Sequence, residues 1–248
     1  MGDGVPSGRG YRQWMATMKP YVICHMNASV DGRILGSRWR PAENRMAGLF
    51  ERLHEELGGG SWLIGRVTGS EYAKAKAYPD RTDQTYPREA WFARRDAAAY
   101  GIALDAQGKI AWGRSEIGGD PIVAVLTERV SDAHLAGLRG DGVSYIFAGQ
   151  RQLDLGLALE ILNRELGIER LLLEGGGGSN GSFLRAGLID EISLAICPAV
   201  DGATGAPSIF DSGDEDAGVA APVRSMTLAS CEVLEGGAVW LRYRLQNR

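Results

Sequence analysis

A strand that ends in a carboxylate and four consecutive glycines constrains this chain more than any other feature. Residues 171–173 form a short apolar run, which is typical of a strand covered on both faces. Glu174 and the glycines follow, and Ser179 or Asn180 can cap the helix that comes next. Glycine lacks a Cβ atom, and the first N–H groups of a helix attract anions, so the pattern indicates a phosphate or nucleotide site. A flexible turn between strand and helix is the alternative.

The composition of the chain argues against several classes of function. The chain has 248 residues, 44% of them hydrophobic, which allows a sizeable core. A net charge of −4 with interspersed acids and bases argues against nucleic-acid binding. No apolar run approaches the roughly 18 residues that span a bilayer, and residues 1–10 lack the apolar core of a secretory signal, so we expect a cytoplasmic protein without membrane contact.

The cysteines and histidines indicate neither disulfides nor a metal. Cys24, Cys197 and Cys231 are far apart in apolar surroundings, which favours free thiols in a reducing compartment. The chain has only three histidines and no CxxC or HxxxH pattern. We therefore expect no metal site.

The order of elements predicts an α/β fold. Apolar runs predict strands at 21–26, 62–64, 102–104, 109–112, 121–126, 143–147, 171–173 and 189–197. Helices are expected from Pro41 through Leu57, from Pro87 to Tyr100, after the caps Ser131 and Asp154, and after the glycines. Residues 227–234 and 238–245 alternate around a glycine turn and predict a C-terminal β-hairpin. We expect one domain over residues 20–248, with a mainly parallel sheet and antiparallel strands at one end, and a tail over residues 1–19.

Three loops that follow predicted parallel strands carry polar groups: residues 65–68, 127–129 and 174–180. Ligands of open α/β sheets bind beyond the carboxyl ends of the strands. The Thr68 hydroxyl and the guanidinium groups of Arg66 and Arg129 would suit a dinucleotide with an extra phosphate, since arginine binds oxygens in pairs. Taken singly, each arginine is more often a solvated surface charge, and the glycine run is not a GxGxxG fingerprint.

Asp31 and Glu174 are the carboxylates with the best placement for proton chemistry. Both follow predicted strands and lie next to glycine, where burial could raise a carboxyl pKa and permit acid catalysis. Asp31 could instead form a turn with its own backbone, and Glu174 could simply face the positive end of the next helix. We interpret His25 as an ordinary strand histidine.

Two segments carry a family resemblance. Residues 28–34, read as ASVDGRI, resemble the Ala-Ser-Leu-Asp-Gly-Arg motif of the riboflavin-biosynthesis reductase domain. Residues 173–177 (LEGGG), 180–184 (NGSFL) and 187–191 (GLIDE) resemble the second signature of that family, and residues 65–68 (GRVT) resemble a loop shared with dihydrofolate reductases. The resemblance covers roughly residues 21–245.

This resemblance implies a dihydrofolate-reductase-like fold, NADPH as the hydride donor and a homodimer. The family reduces the ribosyl group of a 5-phosphoribosylaminopyrimidine at C1′. By this resemblance Asp31 and Glu174 are the catalytic candidates, and Ser29 and Asn27 the candidate contacts to the substrate. The residues implied to bind the cofactor are Gly65, Arg66, Thr68, Thr127, Arg129, Gly175, Gly176, Gly177, Gly178 and Ser179.

The chain departs from the family pattern in the segment associated with the substrate. Many riboflavin reductases carry Asp-Asp-Pro-x-Leu-Thr-x-Arg after the Gly-x-x-Thr loop, whereas residues 69–74 here read GSEYAK. Many also have a lysine where His25 aligns. Two alternatives stay open: a reductase of another carbonyl, imine or pterin-like substrate, and a nucleotide-binding protein without turnover.

Overall fold

A computed structural model describes residues 19–213, 216 and 218–247. Except for Lys19, the expected tail over residues 1–19 lies outside the described residues. The strands are β1 (Tyr21–Ser29), β2 (Trp62–Ile64), β3 (Gly101–Leu104), β4 (Glu116–Ile117), β5 (Asp120–Leu126), β6 (Ser144–Phe147), β7 (Arg170–Leu173), β8 (Glu191–Cys197), β9 (Val223–Val233) and β10 (Val239–Asn247). The α-helices are α1 (Leu49–Glu56), α2 (Arg66–Tyr72), α3 (Asp132–Gly140), α4 (Leu155–Leu166) and α5 (Gly177–Arg185).

The ten strands form one sheet. From β5 the order is β3, β2, β7, β1, β8, β10 and β9, and both β4 and β6 pair with the other side of β5. The pairs from β6 to β8 are parallel, whereas β10 pairs antiparallel with β8 and β9. This architecture confirms the predicted mixed, mostly parallel sheet flanked by helices, with a C-terminal β-hairpin.

Side chains along the central strands alternate between the two faces of the sheet, so the core has two layers. On β1, Val22 and Cys24 face one layer, and Ile23 faces the other. The first layer is closed by α4 and α5, and the second by α1 and α3. Strands buried on both faces are expected where parallel strands have helices on each side, so the apolar runs of the central strands follow from their position.

The helix predicted from Pro41 through Leu57 is wrong in its first half. A short 3₁₀ helix spans Ala42–Arg45, and α1 begins only at Leu49. Between them, Met46 and Gly48 adopt left-handed backbone angles, with φ of 54° and 74°. A left-handed residue cannot continue a right-handed helix, so the periodic apolar residues are shared between two separate elements.

Two further predictions are wrong. Residues 87–100 form no helix; the Arg88 guanidinium ties this segment to the Tyr86 carbonyl and the Asp132 carboxylate instead. Residues 109–112 form no strand, because the N–H groups of Lys109 and Ile110 donate to the buried Asp105 carboxylate. Within the described residues, no helix is long and apolar enough to cross a membrane.

Candidate active site

A cleft of about 600 Å³ opens beyond the carboxyl ends of β1, β2 and β7. These three strands are neighbours in the middle of the sheet, so the loops that follow them meet at one edge. The cleft is lined by Met26, Ile34, Leu35, Gly65, Arg66, Val67, Thr68, Glu71, Glu174, Gly176, Gly177, Gly178, Ser179, Pro207 and Asp211. The loops at 65–68 and 174–180 therefore come together as their positions after strands predicted.

The first turn of α5 presents backbone N–H groups to the cleft. The helix begins at Gly177, after Gly176 with φ of 37°, and no side chain caps it. The predicted cap at Ser179 or Asn180 is wrong, since both residues lie inside the first turn. An uncapped helix start has unsatisfied donors and a partial positive charge, which suits an anionic group.

Gly175, Gly177 and Gly178, three of the four consecutive glycines, have different surroundings. A Cβ atom on Gly175 would lie 2.5 Å from the Ile64 Cα atom, and one on Gly177 would overlap Asp211. These two glycines therefore allow close packing of backbone against backbone. Gly178 is exposed, and a Cβ atom there would meet nothing within 4 Å. Of the three, Gly178 is the one that leaves open space in the cleft for a ligand.

Glu174 and His54 form a hydrogen-bonded pair at the base of the cleft. Glu174 follows β7, and its Oε1 atom lies 2.7 Å from Nδ1 of His54 on α1. The Glu174 side chain is only 9% exposed and that of His54 is 17% exposed. Burial raises the pKa of Glu174, against the opposing effect of His54, while the hydrogen bond to Glu174 raises the pKa of His54. The pair therefore holds a proton more firmly than either group would in water.

His25 packs behind this pair as a neutral side chain. Its ring stacks on Phe50 of α1 at a centroid distance of 4.4 Å, and its Nε2 atom lies 3.1 Å from the Phe50 carbonyl oxygen. Burial lowers the pKa of His25 to about 4. His25 does not line the cleft, which fits the interpretation of an ordinary strand histidine.

The structure places Ser29 and Asp31 beside the cleft, Ser29 at the end of β1 and Asp31 in the turn that follows. The Asp31 carboxylate accepts hydrogen bonds from the Ser29 hydroxyl at 2.6 Å and from the N–H groups of Asp201 and Gly202 at 3.1 and 2.9 Å. These bonds, that from Ser29 first, hold the pKa of Asp31 well below its usual range. Neither residue is among those that line the cleft. In this conformation Asp31 is an ionised anchor for the loop at 201–202.

Asn27, near the end of β1, carries an unsatisfied polar atom. Its Oδ1 atom is buried and has no hydrogen-bond partner. Like Asp31 and Ser29, it is absent from the residues that line the cleft. Its assignment as a substrate contact remains a prediction.

The loop after β5 contributes no residue to the lining of the cleft, so the assignment of Thr127 and Arg129 to the cofactor remains a prediction. The Thr127 hydroxyl donates to the Ala106 carbonyl oxygen at 2.6 Å, and Arg129 is exposed. Two depressions of about 420 and 430 Å³ share Ser179 with the cleft and extend it past the end of β3. Their basic residues are Arg66, Lys109 and Arg151. The sequence singled out Arg66 but not the other two; their positions in loops after β3 and β6 were the available signal.

Solved structures identify the class of fold. The chain aligns with a pyrimidine reductase-like protein from Corynebacterium diphtheriae NCTC at 15% identity and a TM-score of 0.67, over 92% of this chain and 93% of the other. It aligns with Acinetobacter baumannii RibD at 21% identity and a TM-score of 0.61, over 96% of this chain and 62% of the other. At such identities the likeness shows the fold, which is the dihydrofolate-reductase-like fold of the RibD reductases.

Sequence comparison then gives the family. The model of the RibD C-terminal domain matches residues 20–240, so the chain belongs to the RibD C-terminal domain family. Two curated relatives are named 2,5-diamino-6-ribosylamino-4(3H)-pyrimidinone 5′-phosphate reductase. That of Methanothermobacter thermautotrophicus is 40% identical over 91 residues, which are 37% of this chain and 41% of the relative. That of Aquifex aeolicus is 32% identical over 89 residues, 36% of this chain. The chain spans about two fifths of the length of these relatives.

Proposed function

We propose that this protein is an NADPH-dependent reductase that transfers hydride to C1′ of a ribosylaminopyrimidine 5′-phosphate. The observation that carries the proposal is the cleft in which the uncapped start of α5, the open position at Gly178 and the buried Glu174 meet. Family membership and the printed names of the two curated relatives support the same reaction.

The residues of the cleft fit a dinucleotide. The N–H groups at the start of α5 suit a diphosphate, because helix starts attract anions and no side chain competes at this one. Met26, Ile34, Leu35 and Pro207 provide an apolar wall for a ring. Bound NADPH would supply the hydride, while the chain itself binds, orients and excludes water.

We propose a preference for NADPH over NADH because basic residues line the groove formed by the two depressions that continue the cleft. A 2′-phosphate carries extra negative charge that arginine and lysine neutralise. Arg66, Lys109 and Arg151 line the groove, whereas the exposed Arg129 lies outside it. We therefore expect Arg151, rather than Arg129, to distinguish the two cofactors.

Glu174 is proposed as the proton source. Reduction of an open-chain imine adds hydride to carbon and a proton to nitrogen, and Glu174 is a cleft-lining acid whose side chain is only 9% exposed. Burial raises its pKa, so the carboxyl keeps a proton at higher pH than an exposed glutamate does. Asp31 would act at the edge of the substrate site by holding the loop at 201–202.

A second candidate is a reductase of an unphosphorylated carbonyl, imine or pterin-like substrate. Arg66 is the only basic residue among the described residues that line the cleft, against the acids Glu71, Glu174 and Asp211. This charge balance is unfavourable for a substrate phosphate. Comparing the pyrimidine with and without its 5′-phosphate separates the two candidates, because only the first requires the phosphate.

A charge placed at Gly178 tests the cofactor site. Aspartate at this second position of α5 favours the helix electrostatically and has open space, so the fold should tolerate Gly178→Asp. The same charge would repel a diphosphate by about 4 kcal/mol at 4 Å in a surface-like dielectric. We expect NADPH affinity, followed by fluorescence titration, to fall by at least about tenfold.

Gly178→Asn is the matched control for the charge, since asparagine has nearly the same shape as aspartate. A pair of arginine variants tests the preference between the two cofactors. We expect Gly178→Asn to lose far less affinity than Gly178→Asp. Arg151→Gln should lower the NADPH-to-NADH preference, and Arg129→Gln should leave it unchanged. Equal NADPH affinity in wild type and Gly178→Asp would refute the cofactor assignment.

We also propose that the protein is a homodimer in a reducing, cytoplasmic compartment. The free thiols Cys24, Cys197 and Cys231 support the compartment. Strand β9 supports the dimer, since it is an edge strand exposed on both faces, with Met226 50% and Leu228 51% exposed. A long edge strand with exposed apolar residues invites pairing with another chain, and a second copy is the simplest partner.

A further inference from the structure

The pair formed by His54 and Glu174 links helix α1 to the end of strand β7. His54 belongs to α1, which covers one face of the sheet, and Glu174 follows the central strand β7. The two residues are 120 positions apart in sequence, yet Nδ1 and Oε1 lie within 2.7 Å. Glu174 lines the cleft and His54 does not, so the histidine reaches the cleft only through the carboxylate.

The helix holds the imidazole firmly. Leu49 and Leu53 of α1 are fully buried in the core, and Phe50 stacks on the buried ring of His25. After α1 the chain turns back through Gly59, whose N–H donates to the His54 carbonyl oxygen at 3.0 Å. A side chain placed by such packing can orient its partner at low entropic cost.

The surroundings of the pair are mostly acidic. The titratable groups that face it are Glu51 and Glu55 on α1, Asp120 on β5, Cys24 and His25 on β1, and Tyr72 on α2. Burial keeps His25 neutral around pH 7, since its pKa falls to about 4, and keeps Cys24 a thiol. The hydrogen bond between the two side chains favours a proton on the pair, since it raises the pKa of His54.

We infer that His54 is a positioning residue, which fixes Glu174 in the cleft and keeps a transferable proton on the pair at neutral pH. The inference rests on the proposed function. Bound NADPH would supply the hydride that reduces the substrate carbon, and Glu174 would donate one proton to the substrate nitrogen. His54 supplies that proton to Glu174, and solvent water returns one to His54.

Histidine NMR tests the pairing without substrate. The 248-residue chain has three histidines, and burial lowers the pKa of both His25 and His134, so a raised histidine pKa identifies His54. We expect His54 to titrate above 6.5 in wild type and in Glu55→Gln, a matched loss of a neighbouring exposed carboxylate. In Glu174→Gln the His54 pKa should fall below the wild-type value. A His54 resonance that titrates identically in Glu174→Gln and wild type would overturn the pairing.

Kinetic measurements distinguish the role of His54 in orienting Glu174 from its role in supplying a proton. Asparagine places an amide N–H near the Nδ1 position but cannot carry an extra proton, so His54→Asn should keep the bond to Glu174 and its NADPH affinity. Single-turnover oxidation of bound NADPH by 2,5-diamino-6-ribosylamino-4(3H)-pyrimidinone 5′-phosphate is measured against pH. In wild type the rate should decline only above the raised His54 pKa.

In His54→Asn the decline should begin at lower pH, because the asparagine holds no proton that could return to Glu174 after each transfer. At pH 8 we expect a loss of about tenfold or more. His54→Ala, which lacks the bond as well, should lose more. An unchanged pH profile in His54→Asn would overturn the proton role. Absence of NADPH oxidation in wild type would count against the proposed function and leave the NMR result on the pair intact.

Discussion

At the scale of single residues, the site depends on two carboxylates in opposite environments. Burial of Glu174 favours its protonated form, whereas the exposed Asp31 accepts three hydrogen bonds, which favour its charge. Carboxyl groups whose surroundings push their pKa values apart take different roles. Glu174 therefore suits proton transfer, and Asp31 suits holding a loop.

Asp31→Asn should test the second role. Asparagine keeps the size of the side chain but cannot accept all three bonds with the strength of a charge, so the loop at 201–202 should loosen. We expect NADPH affinity to stay near wild type and the turnover rate to fall about tenfold. The stability that Asp31 provides is present above its ordinary pKa of 3.8 and is lost as pH falls through the depressed value, so the variant should differ most from wild type near neutral pH.

The control for this variant is Asp96→Asn, whose side chain is 92% exposed. Turnover with the true substrate and NADPH affinity are measured for both. Full turnover in Asp31→Asn would remove Asp31 from the functional residues.

At the scale of elements, the placement of α5 depends on glycines that permit close approach. A Cβ atom on Gly181 would overlap the backbone carbonyl group of Asp211, and the Asp211 N–H donates to the Gly177 carbonyl oxygen at 2.9 Å. Gly177 and Gly181 thus hold the segment that forms one wall of the cleft. The role of these two glycines is packing more than contact with a ligand.

Gly181→Ala should consequently destabilise the protein by about 1–3 kcal/mol, because backbone must move to admit the methyl group. Gly140→Ala is the matched control: it also lies on a helix, and a Cβ atom there would meet nothing within 4 Å. That change should be neutral or stabilise by up to about 1 kcal/mol. Urea unfolding midpoints measure both, and equal midpoints for Gly181→Ala and wild type would contradict the packing role.

The elements also show which features the sequence could predict. The apolar runs of β2, β5 and β7 identified central strands because both faces of these strands are buried. The break before α1 escaped prediction, since periodicity of apolar residues does not report the left-handed backbone of Met46 and Gly48. The sequence does not predict His54 as a site residue, because no local pattern links it to a carboxylate 120 positions away. Lys109 and Arg151 resemble any solvated loop charge until the fold places them in one groove.

At the scale of the whole molecule, the exposed edge strand β9 is the feature on which the proposed dimer rests. Its 11 residues pair on one side with β10, and its other side is the edge of the sheet. Leu228→Lys should weaken a dimer that uses this strand, because a buried lysine must give up hydration. We expect the dimer dissociation constant from sedimentation equilibrium to rise at least about tenfold.

Val219→Lys is the control, since Val219 is 58% exposed and lies before β9 in the chain. It should leave self-association unchanged. A wild-type protein that stays monomeric at high micromolar concentration would contradict the proposed dimer.

The measurement that tests the central claim most directly is a titration of the purified protein with NADPH and with NADH, followed by addition of 2,5-diamino-6-ribosylamino-4(3H)-pyrimidinone 5′-phosphate while cofactor absorbance is recorded. We predict tighter binding of NADPH than of NADH, and oxidation of the bound NADPH when the pyrimidine is added. Tight binding without oxidation would contradict the proposed substrate and favour the unphosphorylated alternative. Binding of neither nucleotide would contradict the account of the cleft itself.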